Sequence, residues 1–117
     1  MIKRKSEMEI EKREKMRGGE GIIKILHFFK KDEFKANVRL CAKLIIEPGF
    51  SIGLHEHIDE DEVFIVLKGK GLLFDGKEEK IVEEGDAILT GNGESHSIKN
   101  IGDKDLEIIA FIAKYNK

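Results

Sequence analysis

The sequence predicts an all-β protein, an antiparallel sandwich or barrel of about nine short strands. Short runs rich in β-branched and aromatic residues recur along the chain from Ile22 onward. Glycine, aspartate and a Pro-Gly pair separate these runs at short intervals, as turn residues do. No stretch has the periodicity of a long amphipathic helix. With 117 residues, the chain is long enough for one domain with its own hydrophobic core.

The first half of this pattern contains three predicted strands. The run IIKILHFF is followed by VRLCAKLII, in which every second residue from Val38 to Ile46 is apolar while Arg39, Cys41 and Lys43 lie between them. Such alternation is typical of a strand with one buried face. Pro48-Gly49 predicts a turn, and EVFIVLK is a third strand that ends at the glycines 69 and 71.

The second half adds a hairpin and three more strands. GLLFDGKEEKIV predicts a hairpin with a two-residue turn at Asp75-Gly76. EEGDAILT predicts a turn and a short strand, and SHSIKN predicts another strand. After the turn IGDKD, the nearly continuous apolar run LEIIAFIA predicts a final buried strand.

The N-terminal segment is chemically different from the rest. Its first seventeen residues carry seven Lys or Arg against four Glu. Ser6 and Glu9 would form a capping box that opens a short helix, but the alternation around Met8 and Ile10 fits a strand equally well. GGEG then ends any regular element. We expect residues 1–21 to be an arm, either frayed or docked on something such as a second subunit, and residues 22–117 to be the barrel domain.

Composition excludes several classes of function. The net charge of -2 and the absence of a basic patch interleaved with aromatics argue against nucleic acid binding. No apolar stretch approaches the roughly 18 residues of a membrane span, and the charged N-terminus does not look like a secretory signal. Cys41 has no second cysteine with which to form an internal disulfide, and we expect a buried or half-buried thiol. These features predict a cytoplasmic protein.

Three histidines and a glutamate predict a metal site. His55 and His57 are two residues apart on an extended segment, so both imidazoles leave the same face. Glu62 begins the next predicted strand, and His96 begins another one after the loop GNGE. In a closed barrel these four side chains can converge inside. Imidazole and carboxylate ligands suit a divalent first-row metal ion.

Residues 49–69 resemble the first conserved motif of the cupin family, with Gly49, His55, His57, Glu62 and Gly69 at its defined positions. Residues 85–100 resemble the second motif, with Gly85, Gly93, His96 and Asn100 in place and Gly91 where the motif has proline. The resemblance implies a double-stranded β-helix (jelly-roll) barrel. It also implies a metal ion bound by His55, His57, Glu62 and His96.

The resemblance leaves the chemistry open. The ligand set favours Mn, Fe or Ni, and Zn is possible. Small cupins resemble the halves of oxalate decarboxylases and sugar-phosphate isomerase relatives. That likeness is one of fold and transfers no substrate. The chemistry of the metal site itself predicts a metal-dependent dioxygenase, decarboxylase or isomerase acting on a small polar metabolite that bears carboxylate or hydroxyl groups. The alternatives are a non-catalytic binding or sensing module and a barrel without a functional metal. No catalytic residue is assigned, because no inward-facing general acid or base is identifiable.

Several charged and polar residues have two interpretations. Arg17 and Arg39 would pair with a substrate carboxylate if they lie near the barrel mouth, and are otherwise solvated charges. The acidic residues 59–61 are expected to form a solvated loop, with a supporting role beside the site as the alternative. His27 is expected on the barrel surface. Asn100 is expected to hold a turn through hydrogen bonds to the backbone.

The apolar residues on the outward face of EVFIVLK predict a homodimer. Val63, Ile65 and Leu67 alternate with the inward set and would pack on a second copy of the chain. The charged arm before Gly18 would then exchange across the two-fold interface. A small-molecule ligand is the other expected partner.

Overall fold

The computed structural model describes residues 1–116, which form ten strands and three single-turn 3₁₀ segments. The strands are β1 (Glu9–Glu14), β2 (Ile22–His27), β3 (Val38–Ile46), β4 (Ser51–Glu56), β5 (Glu60–Lys68), β6 (Lys70–Phe74), β7 (Glu79–Glu83), β8 (Ala87–Gly91), β9 (Ser95–Asn100) and β10 (Leu106–Lys114). The 3₁₀ segments are Lys5–Glu7, Met16–Gly18 and Lys31–Glu33. Within residues 1–116, none of these short turns has the length or apolar character to cross a membrane.

The strands form two antiparallel sheets that pack face to face. The larger sheet has the order β1-β2-β3-β10-β5-β8, and the smaller has the order β4-β9-β6-β7. Buried side chains from both sheets belong to one hydrophobic cluster, so a single core lies between them. This arrangement confirms the all-β jelly-roll prediction.

Strand β3 shows how the sequence pattern produces this packing. Ala42, Leu44 and Ile46 are at most 1% exposed, whereas Arg39 is exposed and Cys41 is half-buried. The predicted alternation is therefore confirmed along β3. Burying side chains of the size of Leu44 and Ile46 stabilises the fold by about 1.5–3 kcal/mol each.

The N-terminal segment adopts the strand alternative over residues 9–14. Strand β1 pairs antiparallel with β2, from Glu9 opposite His27 to Glu14 opposite Ile22, and forms an edge of the larger sheet. Around Ser6 the helical structure is limited to the 3₁₀ turn of residues 5–7, so no longer helix begins there. Residues 9–14 form a strand and not a helix because pairing with β2 satisfies backbone N–H and C=O groups. A short isolated helix would leave more of these groups to water. The division of the chain into residues 1–21 and 22–117 stays a prediction.

The β6–β7 hairpin is confirmed, but its loop is longer than predicted. Phe74 pairs with Glu79, which leaves a four-residue loop over residues 75–78. The Asp75 carboxylate accepts hydrogen bonds from the backbone N–H groups of Lys77 and Glu78, at 2.9 and 2.8 Å. Gly76 has a φ of 95°. The aspartate side chain therefore closes a wider turn than the Asp-Gly pair alone indicates.

Asn100 holds the turn after β9, as predicted. Its buried amide nitrogen donates to the carbonyls of Ile46 and Lys104, each at 2.8 Å, and its oxygen accepts from the N–H of Gly102 at 2.8 Å.

We expect Asn100→Ala to lower the free energy of unfolding by about 2–4 kcal/mol, because buried backbone groups lose their partners. Urea unfolding measures this, with exposed Asn116→Ala as the control. A loss below 0.5 kcal/mol, on the order of a surface substitution, would contradict it.

Candidate metal centre

The four predicted ligand residues come from both sheets. His55 on β4 lies directly opposite His96 on β9 in the smaller sheet. Glu62 lies on β5 in the larger sheet, and His57 follows the last residue of β4. One ligand atom from each of these residues lies within 4.8 Å of every other, and three of the four side chains are buried. The fold therefore brings together residues that are up to 41 positions apart in the chain.

A β-bulge in β4 turns His55 towards the core. Ile52 pairs with Ile98, but His55 pairs with His96, so β4 has one residue more than β9 over this interval. Buried Ile52 and half-buried His55 consequently both point inward, although three positions separate them. Because of the extra residue, β4 directs both Ile52, which belongs to the core, and His55, which belongs to the ligand cluster, to the inside of the barrel.

The inward-facing atoms form a tight cluster. The Nε2 atoms of His57 and His96 are 3.0 Å apart, and those of His96 and His55 are 3.1 Å apart. Glu62 Oε1 lies 2.8 Å from His57 Nε2 and 2.9 Å from His96 Nε2. Phe64 stacks on the His96 ring with a centroid separation of 4.8 Å, which fixes the orientation of that imidazole.

Each imidazole is oriented through its other nitrogen. His55 Nδ1 donates to the Gly53 carbonyl at 2.7 Å, and His57 Nδ1 donates to the Glu60 carboxylate at 2.5 Å. His96 Nδ1 lies 3.0 Å from the Thr90 hydroxyl. A proton on Nδ1 leaves the lone pair on Nε2, so His55 and His57 present lone pairs to the cluster. Outer hydrogen bonds of this kind are typical of metal-binding histidines.

Burial and charge act in opposite directions on the pKa values of the cluster. Burial lowers the pKa of His55 to about 4, so its imidazole is neutral at pH 7. Burial also disfavours the charged form of His57, but the carboxylates of Glu62 and Glu60 outweigh it and raise the pKa of that imidazole. Burial likewise opposes ionisation of Glu62, but the neighbouring His57 and His96 outweigh it and lower its pKa.

The cluster fits a metal ion. Glu62 Oε1 is buried and makes no hydrogen bond with any group among residues 1–116. A carboxylate oxygen and imidazole lone pairs less than about 3.1 Å apart repel one another unless a positive charge lies between them. Nitrogen and oxygen donors with these separations match neighbouring ligands on an ion with bonds of about 2.0–2.2 Å. The group is therefore able to bind a metal ion.

Glu60 corrects the expectation of a solvated loop over residues 59–61. It is the first residue of β5 and is 7% exposed. Its carboxylate accepts two hydrogen bonds from Arg39, at 2.9 and 2.8 Å, besides the one from His57. Burial opposes ionisation, but Arg39 and His57 outweigh it and lower the pKa of Glu60 to about 2. The signal for this role was present, because Glu60 and Glu62 are two residues apart and share a strand face.

A cavity of about 140 Å³ adjoins the cluster. Its lining includes His55, His57 and Glu62, an apolar wall that contains Ile52 and Phe64, and the three arginines 13, 17 and 39. Arg17 and Arg39, which the sequence left as either ligand-binding or solvated residues, therefore both border the cavity. Arg13 was not singled out. The residue lies in the arm, whose pairing with β2 could not be read from spacing alone.

His27 also lines the cavity, which corrects its expected place on the barrel surface. It is the last residue of β2, and its Nε2 lies 2.9 Å from a carboxylate oxygen of Glu11 on β1. A larger depression of about 800 Å³ runs along β7 and β8, but none of the four clustered residues lines it. The smaller cavity is therefore the one that belongs to the site.

The chain resembles one protein of known sequence over nearly its whole length and another over about two thirds of it. It is 39% identical over 112 residues to an oxalate-binding protein of Thermotoga maritima. This alignment covers 96% of the present chain and 93% of the relative. It is 32% identical over 76 residues to an uncharacterised protein of Methanocaldococcus jannaschii. That alignment covers 65% of the present chain and 61% of the relative.

Solved structures show the same relationship. A crystal structure described as a predicted oxalate decarboxylase of Thermotoga maritima superposes with a TM-score of 0.92 at 38% identity, over 97% of this chain and 99% of that one. KdgF from a Halomonas species superposes with a TM-score of 0.76 over 97% of this chain and 95% of that one, but its 15% identity shows the fold alone. The model of the Cupin domain family matches residues 42–112. The chain therefore belongs to the cupin family.

Proposed function

We propose that this cupin binds one divalent metal ion and uses it to hold a small dicarboxylate of the oxalate type. The ligands are His55, His57 and His96 through Nε2 and Glu62 through Oε1. Mn, Fe or Ni is the favoured ion, and Zn is possible. The observation that carries the proposal is the convergence of these four atoms, including a buried carboxylate oxygen without a hydrogen bond, beside a cavity bordered by arginines.

The chain's own residues prepare the site for such a ligand. Glu60 and Gly53 keep the Nδ1 protons of His57 and His55 away from the cluster, so that the Nε2 lone pairs remain available. Arg39 holds Glu60 in place and borders the cavity. A bound divalent ion would supply a Lewis acid for carboxylate oxygens. The apolar wall of the cavity strengthens these charge interactions because it excludes water.

The lining of the cavity supports binding rather than decarboxylation. Among residues 1–116, Glu62 is the one carboxylate that lines it. Breaking a carbon–carbon bond of an organic acid calls for a group that delivers or removes a proton beside the metal, and outside the metal cluster His27 is the one described lining residue that could do so. The relative with 39% identity is described as an oxalate-binding protein, which agrees with this interpretation.

Isothermal titration of untagged protein tests the proposal. We expect about one Mn²⁺ ion per chain, and oxalate binding that requires the metal. Metal affinity should fall as pH decreases, because His57, whose pKa is raised, must lose its proton to bind the ion. Oxalate binding of equal strength in the presence of EDTA would contradict the proposal.

A metal-dependent enzyme is the second candidate, and the presence of His27 in the cavity lining, paired with Glu11 on β1, favours it. Glu11 would orient the imidazole through Nε2, and His27 Nδ1 would take up or release the proton without belonging to the metal ligands. Incubation of the manganese-loaded protein with oxalate and oxygen, followed by assays for CO₂, formate and peroxide, tests it. Turnover that His27→Gln lowers by 100-fold or more, on the order expected for a general acid or base, would favour the enzyme over the binding protein.

We also propose a homodimer that forms through the outer face of β5 and β8. Ile65 and Leu89 are 39% and 68% exposed on neighbouring strands of this face, and β8 is a sheet edge. We expect light scattering to give twice the 13.3 kDa mass of the chain, and Leu89→Lys to give the monomer. A monomer for the unmodified chain at micromolar concentration would contradict this.

The half-buried single cysteine, Cys41, supports a cytoplasmic location.

A further inference from the structure

We propose that Arg17 is the anion-binding residue that makes the site selective for dianions over monoanions, an inference that rests on the proposed binding of a dicarboxylate at the metal centre. Arg17 lies in the turn between β1 and β2 and borders the same cavity as His55, His57 and Glu62. Its role is to bind the part of the ligand that carries the second negative charge.

The pairing of the three cavity arginines distinguishes Arg17. Arg39 donates two hydrogen bonds to Glu60, and Arg13 forms an ion pair with Glu11 at 2.6 Å. Within residues 1–116, no carboxylate forms an ion pair with Arg17. Its planar guanidinium therefore keeps both parallel N–H groups for a carboxylate that enters the cavity.

The backbone holds Arg17 in an unusual and well-anchored conformation. Its φ and ψ are 55° and 29°, and Lys15 has a φ of 50°, so two non-glycine residues of this turn lie in the left-handed region. Such conformations cost free energy in non-glycine residues and persist only where the surroundings impose them.

Close contact with β4 imposes this conformation. A side chain on Gly53 would place its Cβ 2.0 Å from the Arg17 carbonyl oxygen, and one on Gly19 would place it 2.1 Å from that of Ser51. Ser51 also donates its backbone N–H to the Glu20 carbonyl at 3.0 Å and accepts the Glu20 N–H on its hydroxyl at 2.9 Å. The turn is therefore fixed to the strand that carries His55.

Charge balance identifies the class of ligand that needs Arg17. A divalent ion with the Glu62 carboxylate has a formal charge of +1, because the three imidazoles bind as neutral groups. A bound dicarboxylate lowers the formal charge of the site to -1, and the Arg17 guanidinium returns that charge to zero. A monocarboxylate such as glycolate already gives zero without Arg17. Removal of the arginine therefore weakens dianion binding selectively.

Titration of oxalate and glycolate into manganese-loaded Arg17→Gln tests this inference. We expect oxalate affinity to fall about 10- to 100-fold, glycolate affinity to change about twofold or less, and Mn²⁺ affinity to stay within about threefold. Arg17→Lys keeps the charge without the planar fork and should lose less oxalate affinity than Arg17→Gln. Lys15→Gln removes a charge from the same turn outside the cavity lining and is the matched control.

The outcomes separate this inference from the function on which it rests. If the unmodified protein binds Mn²⁺ and oxalate but Arg17→Gln keeps the same oxalate-to-glycolate preference, the role of Arg17 is wrong and the metal site stands. An equal loss for both acids also overturns the selectivity. If the unmodified protein binds no oxalate, the proposed function fails and the inference fails with it. Thermal unfolding of each variant shows whether it remains folded.

Discussion

Glu62→Gln is expected to lower Mn²⁺ affinity by more than roughly 100-fold, since loss of an outer hydrogen-bonding partner alone costs about 10- to 100-fold. The glutamine has nearly the same shape, but it removes the one anionic ligand and the negative charge that offsets the ion. Isothermal titration with Mn²⁺ measures the loss. Glu56→Gln is the matched control, because Glu56 lies between His55 and His57 in the chain but is exposed.

The same substitution should also lower the stability of the metal-free protein. Glu62 is 4% exposed, and burial opposes its ionisation, but the neighbouring His57 and His96 outweigh burial and lower its pKa. Ionised Glu62 therefore stabilises the folded state at pH 7, and a neutral amide lacks this contribution. We expect Glu62→Gln in EDTA to remain folded but to unfold at a lower temperature than the unmodified protein. An intact Mn²⁺ affinity, or a metal-free variant that does not fold, would contradict this account.

Glu60→Gln is expected to weaken metal binding by about 10- to 100-fold without removing a ligand. Glu60 accepts the Nδ1 proton of His57, and a neutral amide oxygen is a weaker acceptor for it. The loss also releases Arg39 from its two hydrogen bonds to the same carboxylate. Titration with Mn²⁺ measures the effect, and exposed Glu84→Gln serves as the control. Unchanged affinity would show that Glu60 does not position His57.

The pKa of Glu60 adds a second readout for this variant. Its folded value of about 2 lies below the ordinary value of 4.5, so ionised Glu60 stabilises the folded state. That contribution is complete above about pH 4.5–5 and is lost as pH falls towards 2. We expect the unfolding free energy of metal-free Glu60→Gln to depend less on pH across this window. Curves of equal slope for both proteins would contradict the ion pair with Arg39.

The sequence was sufficient to predict the strands and the four clustered side chains because both depend on local spacing. Apolar alternation in β3 defines its buried face, and the interval between His55 and His57 places two imidazoles on one side. The family motifs then related these residues to nearby Glu62 and to distant His96. Residues two positions apart on a strand lie on the same face, so their spacing in the sequence predicts which side chains point inward.

The surroundings of the site were harder to predict because they depend on contacts between distant segments. Glu60 was assigned to a solvated loop, and the hydrogen bonds from Arg39 on β3 and from His57 explain why a buried carboxylate is tolerated there. His27 reaches the cavity because β1 pairs with β2 and brings Glu11 beside it. The close approach of residues 17–19 to β4 depends on two glycines, and no local pattern reveals it.

A crystal structure of the untagged protein grown with Mn²⁺, with anomalous diffraction data, tests the central claim most directly. We predict one strong anomalous peak per chain at about 2.0–2.3 Å from the Nε2 atoms of His55, His57 and His96 and from Glu62 Oε1. A peak bound by other residues, or no peak in crystals grown with Mn²⁺, Fe²⁺, Ni²⁺ or Zn²⁺, would contradict the account.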